Sequence, residues 1–382
     1  MHKIAVVIPK YGLVGGAEQF AALLTDQLSS RQTGAFQVFA NQWPANSHGM
    51  AFHKIPILSF PKFLTTISFA WFVKRQLGRQ DFSLVHSHER IFAADLFTMH
   101  GIPHRYWVRH IRQKSMSLYD RATAWVESQL VYQGGCRKFV AVSNLTRDIF
   151  LQEYPIDPER VAVIHPGVHL PDNAARNKED IRTAVRRELG IGATDPVVVF
   201  ASMNFEIKGL DDILLTLAHL RRQNISFKLI VAGKGNIKKY QKMAAGEGIG
   251  DSVFFTGVVD KTRLSDLYSA GDLYLMLSKF DTFGMVVLEA MAAGLPVMIS
   301  SRVGAKDLVR EGENGFVIEH PSDYDYTASR LQLLLDETIR RKMSAAALQT
   351  ASQNTWDTVA AKYADLYRDI LAAKNRGSGK SF

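Results

Sequence analysis

The 382-residue sequence contains a single cysteine, Cys136, so no disulfide can close within the chain, and this usage agrees with a reducing compartment. No stretch reaches the roughly 20 apolar residues that a bilayer span requires. The most apolar segment, ILSFPKFLTTISFAWFVKRQL, is interrupted by Pro61 and Lys62. His86 and His88 stand two apart in HSH, but neither a cysteine pair nor an HExxH pattern accompanies them, so no metal is assigned. There is no internal repeat and no low-complexity tract apart from a polar tail, KNRGSGKSF. What is there, 47% hydrophobic and 22% charged residues, is the composition of a soluble globular protein long enough for two domains, each with its own core. The N-terminal run MHKIAVVIPKYG leads into a turn and a helical pattern, so it reads as a first strand and not a signal peptide. These features place the protein in the cytoplasm.

Charge is unevenly spread. Residues 1–165 carry 18 Lys/Arg against 11 Asp/Glu, a balance of +7, while the remainder carries +2 of the total +9. The densest cluster is HGIPHRYWVRHIRQK, with Arg105, Arg109, Arg112 and Lys114 among histidines and aromatics. Such a face suits an anionic membrane surface, a phosphorylated substrate or nucleic acid, or is simply a solvated helix face. No nucleic-acid reader motif supports the nucleic-acid option.

Apolar runs and amphipathic segments alternate: KIAVVIP, then GAEQFAALLTDQLSS, then AFQVFAN, FSLVHSH, AADLFTMHG and KFVAVS, closing at RVAVIHPGV. A polar stretch, HLPDNAARNKEDIRTAVRRELG, reads as a linker leading into a helix. A second round follows: PVVVFAS, GLDDILLTLAHLRR, FKLIVAG, SVFFTG, LSDLYSAGD, LYLMLS and PVMIS. This is the rhythm of two α/β domains with doubly wound parallel sheets, whose ligands sit at the carboxyl ends of the strands.

The chemistry-bearing residues fall in those positions. FDTFGMVVLEAMAAGLPV sets Asp281 at a strand exit and Glu289 eight residues on, inside a helix that starts near Phe283 or Gly284. A helix start offers unpaired N–H groups to a phosphate or to sugar hydroxyls. Asp281 is placed to accept from sugar hydroxyls and Glu289 to take a ribose diol. An ordinary strand–loop–helix with acids near its helix start would show the same spacing. Gly15 and Gly16 form a loop after the first strand that is neither G-x-G-x-x-G nor Walker A. Lys208 and Gly209 follow another strand, where a cation could meet a pyrophosphate. The Gly233–Gly235 loop is a weaker signal of the same type. His100 stands at a strand exit in the first half; a lone histidine there is as often structural as functional.

Taken together, Asp281-x7-Glu289 followed by EAMAAGLPV resembles the E-x7-E motif of the family 4 retaining glycosyltransferases with the GT-B fold (glycosyltransferase group 1). VGGAE, KGLDDIL, VVDKTRLSDLYSAGDLYLMLS, ENGFVIE and TWDTVAAKYADLYRDIL are similar to further segments of that family along the whole chain. IHPGV and the basic first half are reminiscent of the lipopolysaccharide-core hexosyltransferases. The resemblance implies two Rossmann-like domains facing a cleft. Residues 1–168 would bind the acceptor, 169–355 the nucleotide sugar, and 356–382 would pack back on the first domain. It implies that Asp281 holds the donor sugar, that Phe283 and Gly284 touch the sugar and that Met285 and Val286 touch the phosphate. Glu289 would bind the ribose, Lys208 neutralise the diphosphate and Val258 present backbone groups to the base. Gly15 and Gly16 would leave room for diphosphate and acceptor, and His100 would lie near the transferred sugar. The family's first acid is usually Glu; Asp281 is shorter by one C–C bond, roughly 1.5 Å. Ile207 stands before Lys208 where many members have Arg, a charge that Lys234, Arg302 or Lys306 would have to supply.

The implied reaction is a retaining transfer of a hexose from a nucleoside diphosphate sugar, UDP favoured, to a cell-surface glycan or lipid-linked acceptor such as lipopolysaccharide core. No cofactor beyond the nucleotide-sugar co-substrate is called for, and the front-face route needs no metal and no enzymic nucleophile. The acceptor would lie against Arg105, Arg109, Arg112 and Lys114, with a helix over 63–79 adding contact at an anionic membrane surface. Two other readings remain: a non-catalytic sensor or assembly protein that binds the sugar nucleotide, and a sugar-nucleotide epimerase.

Overall fold

A computed structural model describes residues 2–13, 15–45, 50–171 and 177–378. The chain divides into two compact units, Met1–Gly167 with Trp356–Phe382, and Val168–Thr355.

Among the described residues, the first unit is built on a seven-stranded sheet. Its strands are β1 (Lys3–Val7), β2 (Ala35–Ala40), β3 (Ala51–Lys54), β4 (Leu84–Ser87), β5 (Leu96–Met99), β6 (Lys138–Ala141) and β7 (Val161–Val163). Their order is β3-β2-β1-β4-β5-β6-β7, with every pairing parallel. The second unit has six: β8 (Val197–Ser202), β9 (Lys228–Gly233), β10 (Val253–Gly257), β11 (Leu273–Met276), β12 (Val297–Ser300) and β13 (Gly315–Ile318). Their order is β10-β9-β8-β11-β12-β13, again parallel throughout. In each sheet the chain winds outward from the first strand and then returns to its other side. The loops after β1 and β4, and after β8 and β11, therefore diverge and leave a crevice at the strand carboxyl ends. These are the doubly wound, Rossmann-like α/β sheets that the alternation of segments predicts.

Parallel strands covered on both faces need unbroken apolar runs. VVVFAS in β8 and LYLM in β11 are buried at every position. Helix Gly16–Ser30 turns Phe20, Ala21, Leu24, Thr25 and Leu28 inward, a spacing of three to four residues that makes one stripe. The last helix, Trp356–Ser378, belongs to the first unit and packs along helix Gly16–Ser30 and β4. It buries Trp356, Val359, Ala360, Tyr363, Tyr367 and Ile370. The larger aliphatic side chains among these, Val359 and Ile370, each contribute about 1.5–3 kcal/mol of apolar burial. Lys374 on the same helix meets Asp95 at 3.0 Å.

The last helix carries the polar tail as far as Ser378, and residues 379–382 lie outside the described residues. Of the polar linker, residues 172–176 also lie outside them, while Lys178–Glu188 is a helix capped by Asn177, whose side chain accepts from Glu179 N. That helix carries a buried charge cluster. Arg182 and Arg186 meet the two oxygens of Asp272 at 2.7 and 2.9 Å. Asp272 Oδ2 also accepts from Val197 N at 2.8 Å, and Asp272 N donates to Val197 O at 2.8 Å. The cluster thus ties the starts of β8 and β11 together beneath the crevice.

Candidate functional site

In the second unit, the loops leaving β8 and β11 are joined to one another. Lys279 N donates to Ile207 O at 2.8 Å, and Ser278 Oγ donates to Ile207 O at 3.1 Å. Gly209 sits between them at φ 75°, where a Cβ would stand 2.0 Å from Leu277 O, so no other residue fits. It begins helix Leu210–Arg222 and sets Lys208 beside the β11 exit. Lys208 Nζ lies 2.5 Å from Asp281 Oδ2 and 3.4 Å from Phe280 O.

Asp281 is held on every side. Its Oδ1 accepts from Phe283 N at 3.2 Å, its own N donates to Arg302 O, and its carbonyl accepts from Gly304 N. Gly284, at φ 88°, begins helix Met285–Ala292, and no side chain caps it. A Cβ there would crowd Met276 and Val303 at 3.1 Å. The first amides of this helix have no partner within it, and its positive dipole end lies next to the Lys208–Asp281 pair. Glu289 is the fifth residue of the helix and is half-buried. Burial pushes its carboxyl above the usual range, with the Lys261 charge pulling it back down. Val258 is exposed just after β10. The Gly233–Gly235 loop has a packing explanation: a Cβ on Gly233 would meet Ser202 O at 1.8 Å, and one on Gly235 the Phe205 ring at 2.2 Å.

In the first unit, Gly15 starts helix Gly16–Ser30 at φ 149° and ψ 150°, where a Cβ would overlap the Glu18 carboxylate. His100 follows β5 directly, and His88 follows β4 after Ser87. His88 Nδ1 and His100 Nε2 are 2.9 Å apart, with the rings 18° from parallel. Behind them His86 uses both nitrogens, Nδ1 at 2.7 Å from Tyr367 Oη and Nε2 at 2.8 Å from Thr98 Oγ1, which is 3.0 Å from Tyr363 Oη. Phe20 packs its ring on His100 and Trp356, with centroids at 4.8 and 5.2 Å. Burial lowers the pKa of His86 and of His100 to about 3, the charge of His100 adding to the effect on His86. His88 is held well below the usual value by burial and by its two histidine neighbours. All three rings are neutral at physiological pH.

The basic segment forms a short helix, His104–Tyr106, running into a π-helical turn, Trp107–Ile111. His104 Nε2 meets Asp120 Oδ1 at 2.9 Å, which ties the segment to helix Leu118–Tyr132. Arg105 is paired with Glu153 at 3.5 Å. Arg109, Arg112 and Lys114 are exposed and make no ion pair among the described residues. The neighbouring helix runs Leu64–Leu77, within the 63–79 expected. Its Phe69 is core, while Trp71 lies half out in solvent with Arg75 over its ring.

The expected site residues therefore fall into two groups. Lys208, Val258, Asp281, Phe283, Gly284, Met285, Val286 and Glu289 belong to the second unit; Gly15, Gly16, His100 and the basic segment belong to the first. Sequence reasoning missed the pairing of His88 with His100. The signal lay in HSH: alternation along β4 puts His86 and His88 on one face.

Two family models match this chain, Glycosyltransferase Family 4 over residues 14–171 and Glycosyl transferases group 1 over 181–350. A D-inositol 3-phosphate glycosyltransferase of Streptomyces bingchenggensis is 29% identical over 260 residues, 65% of this chain and 56% of that protein. Its counterpart in Streptomyces scabiei is 33% identical over 227 residues, 57% of this chain and 50% of the relative. The chain thus spans about half the length of these curated relatives. Among solved structures, WaaG, a glycosyltransferase involved in lipopolysaccharide biosynthesis, superposes with a TM-score of 0.77 at 21% identity, covering 95% of this chain and 99% of WaaG. Anabaena Alr3699/HepE in complex with UDP-glucose gives 0.73 at 19% identity, covering 97% and 100%. These likenesses establish the GT-B fold. The chain belongs to the family 4, group 1 glycosyltransferases.

Proposed function

We propose that the protein transfers a hexose, with retention, from a nucleoside diphosphate sugar to a cell-surface glycan or lipid-linked acceptor, of which lipopolysaccharide core is the favoured example. The observation that carries this reading is the Lys208–Asp281 pair beside the uncapped start of helix Met285–Ala292, at the β8/β11 crevice. A cation, an acid and a row of backbone N–H groups in one place match a ligand with both a diphosphate and hydroxyls. UDP is the favoured nucleotide, in keeping with the HepE complexes with UDP and UDP-glucose.

Breaking the bond between the sugar C1 and the β-phosphate oxygen leaves its electron pair on the diphosphate. Lys208 Nζ and the helix dipole stabilise that charge without a metal. The acceptor oxygen attacks the same face of the oxocarbenium-like sugar, and its proton passes to the departing phosphate oxygen. Asp281 holds sugar hydroxyls, Glu289 the ribose diol, Val258 the base, and His100 reaches the transferred sugar. The test is UDP release from UDP-sugars with an anionic glycan acceptor, with the product's anomeric configuration read by proton NMR. Acceptor-dependent release with a retained α-configuration supports the reading. Binding without turnover favours a sensor, and an inverted product removes the front-face mechanism.

The acceptor side is proposed to work at an anionic membrane surface. No helix of the described residues is long and apolar enough to cross a membrane. Leu58, Phe60, Phe63 and Leu118 are exposed. Lys62 over the Tyr119 ring and Thr66 at 3.1 Å from Thr123 bring their two segments side by side. Lys62 and Arg121 belong to these two segments, and Arg109, Arg112 and Lys114 to the basic segment before Leu118; all five are exposed and make no ion pair among the described residues. Exposed apolar side chains together with exposed, unpaired cations match the interface of an anionic leaflet. The proposed location is the cytoplasm, with this face peripheral on the inner membrane.

A further inference from the structure

We infer that His88 is a positioning residue that fixes which nitrogen of His100 carries the proton. The inference rests on the proposed transfer reaction only for what His100 then does.

His88 is 5% exposed, and its Nε2 has no hydrogen-bond partner among the described residues. Its Nδ1 faces His100 Nε2 at 2.9 Å. A neutral imidazole has one N–H and one lone pair, so a single hydrogen lies between these two nitrogens. If it belonged to His100, His88 would carry its own proton on Nε2, as a buried donor with nothing to receive it. If it belongs to His88, Nε2 is a bare lone pair. A buried orphan N–H is the rarer and costlier state. His88 is therefore the Nδ1–H tautomer and donates to His100 Nε2. His100 has no choice left and must carry its proton on Nδ1.

The packing holds this arrangement. His86 cannot rescue His88 Nε2, because both of its nitrogens are occupied by the hydroxyls of Tyr367 and Thr98. Its ring lies 4.1 Å from that of His88, and Phe20 closes the other side of the pair. His88 sits one residue past β4 and His100 one residue past β5, adjacent parallel strands, so their relation is set by the sheet and not by a loop. The consequence for transfer is that His100 carries its proton on Nδ1, the tautomer suited to donate to an oxygen of the transferred sugar, and does not act as a base through Nε2.

The first measurement is the tautomer itself, read from 15N–1H long-range NMR of the free protein labelled at histidine. His100 protonated at Nδ1 and His88 protonated at Nδ1 are expected. His100 protonated at Nε2 overturns the inference, whatever the protein's activity proves to be. The second uses variants. Asn places an amide N–H where His88 Nδ1–H stood, whereas Ala removes it. His88→Ala should lower kcat on the order of tenfold to hundredfold with donor KM little changed. His88→Asn should restore most of that loss and keep His100 in the Nδ1–H form. Equal losses in both variants, with folding intact by circular dichroism, would reduce His88 to a packing role. A protein that transfers no sugar but shows the expected tautomers would remove the proposed reaction and leave the positioning role standing.

Discussion

Lys208 Nζ and Asp281 Oδ2 are 2.5 Å apart, each occupying the group the other would offer to a ligand. On the proposed donor binding, a diphosphate would have to take Lys208 from Asp281, and sugar hydroxyls would have to take Asp281 from Lys208. Both side chains are partly exposed, so the pair itself stabilises the fold by no more than about 1 kcal/mol. Asp281→Asn frees the lysine. UDP should then bind more tightly, by up to about fivefold, while sugar transfer falls by an order of magnitude or more. Lys208→Ala should weaken UDP binding and lower kcat by about 10²–10³. Calorimetric titration with UDP, alongside turnover, separates the two. Weaker UDP binding in Asp281→Asn would mean that the ion pair is not a competitor of the ligand.

Glu289 is held at a cost. Burial raises its folded-state pKa above the unfolded value, so the folded protein prefers its protonated form. The stability linked to that proton is full below the ordinary glutamate pKa and is lost as pH rises through the folded one. Glu289→Gln should then melt higher than the wild type at pH 8, with the gap closing as pH falls towards about 4. If Glu289 takes the ribose diol as proposed, the same change should weaken nucleotide binding by roughly tenfold, because a charged acceptor is gone. Melting curves across pH, with and without UDP, test both halves. A variant less stable at pH 8 would contradict the assignment of burial as the dominant cause.

Asp272 supports the site from below. Its carboxylate is buried between Arg182 and Arg186 and ties β8 to β11. Asp272→Ala leaves the Arg186 guanidinium, itself 3% exposed, without the carboxylate it is bonded to. Removing one partner of a buried ion pair costs about 3–5 kcal/mol. In a unit of this size that lowers the melting temperature by roughly 10 °C. Calorimetry of the whole protein should show the loss in one transition. A change under about 1 kcal/mol would mean that water enters the cluster and replaces the carboxylate.

The grouping of the second unit's candidate residues was legible because each lies within a few positions of a strand exit that the apolar runs already mark. Asp281, Gly284 and Glu289 share one strand–helix turn, and Lys208–Gly209 share another. The histidine cluster was not legible. Tyr363 and Tyr367 reach Thr98 and His86 across more than 260 residues, and nothing local in FSLVHSH says which hydroxyls arrive. The Arg182–Arg186–Asp272 cluster was hidden for the same reason, inside a stretch whose charge density reads as solvated linker. Arg105 looked equivalent to Arg109 in sequence, yet only the fold brings Glu153 to it. The glycines of the Gly233–Gly235 loop suggested a phosphate, but the close approach they permit is to Ser202 and Phe205.

That difference between Arg105 and its neighbours gives the membrane reading a sharp form. Arg109, Arg112 and Lys114 are free to meet lipid phosphates, and each contributes about 1 kcal/mol near an anionic surface. Replacing all three by Ala should weaken binding to phosphatidylglycerol vesicles by about a hundredfold, and high salt should mimic the loss. Arg105→Ala should cost less, because its charge is already matched by Glu153. The apolar tip acts by a different term. Phe60, 89% exposed, and Leu118, 69% exposed, gain from leaving water whatever the salt. Phe60→Asp with Leu118→Asp should therefore abolish the salt-resistant part of binding and leave UDP affinity unchanged. Vesicle sedimentation at two ionic strengths resolves the two contributions. Equal binding to neutral phosphatidylcholine vesicles, or full binding by both sets of variants, would remove the lipid surface as the partner of this face.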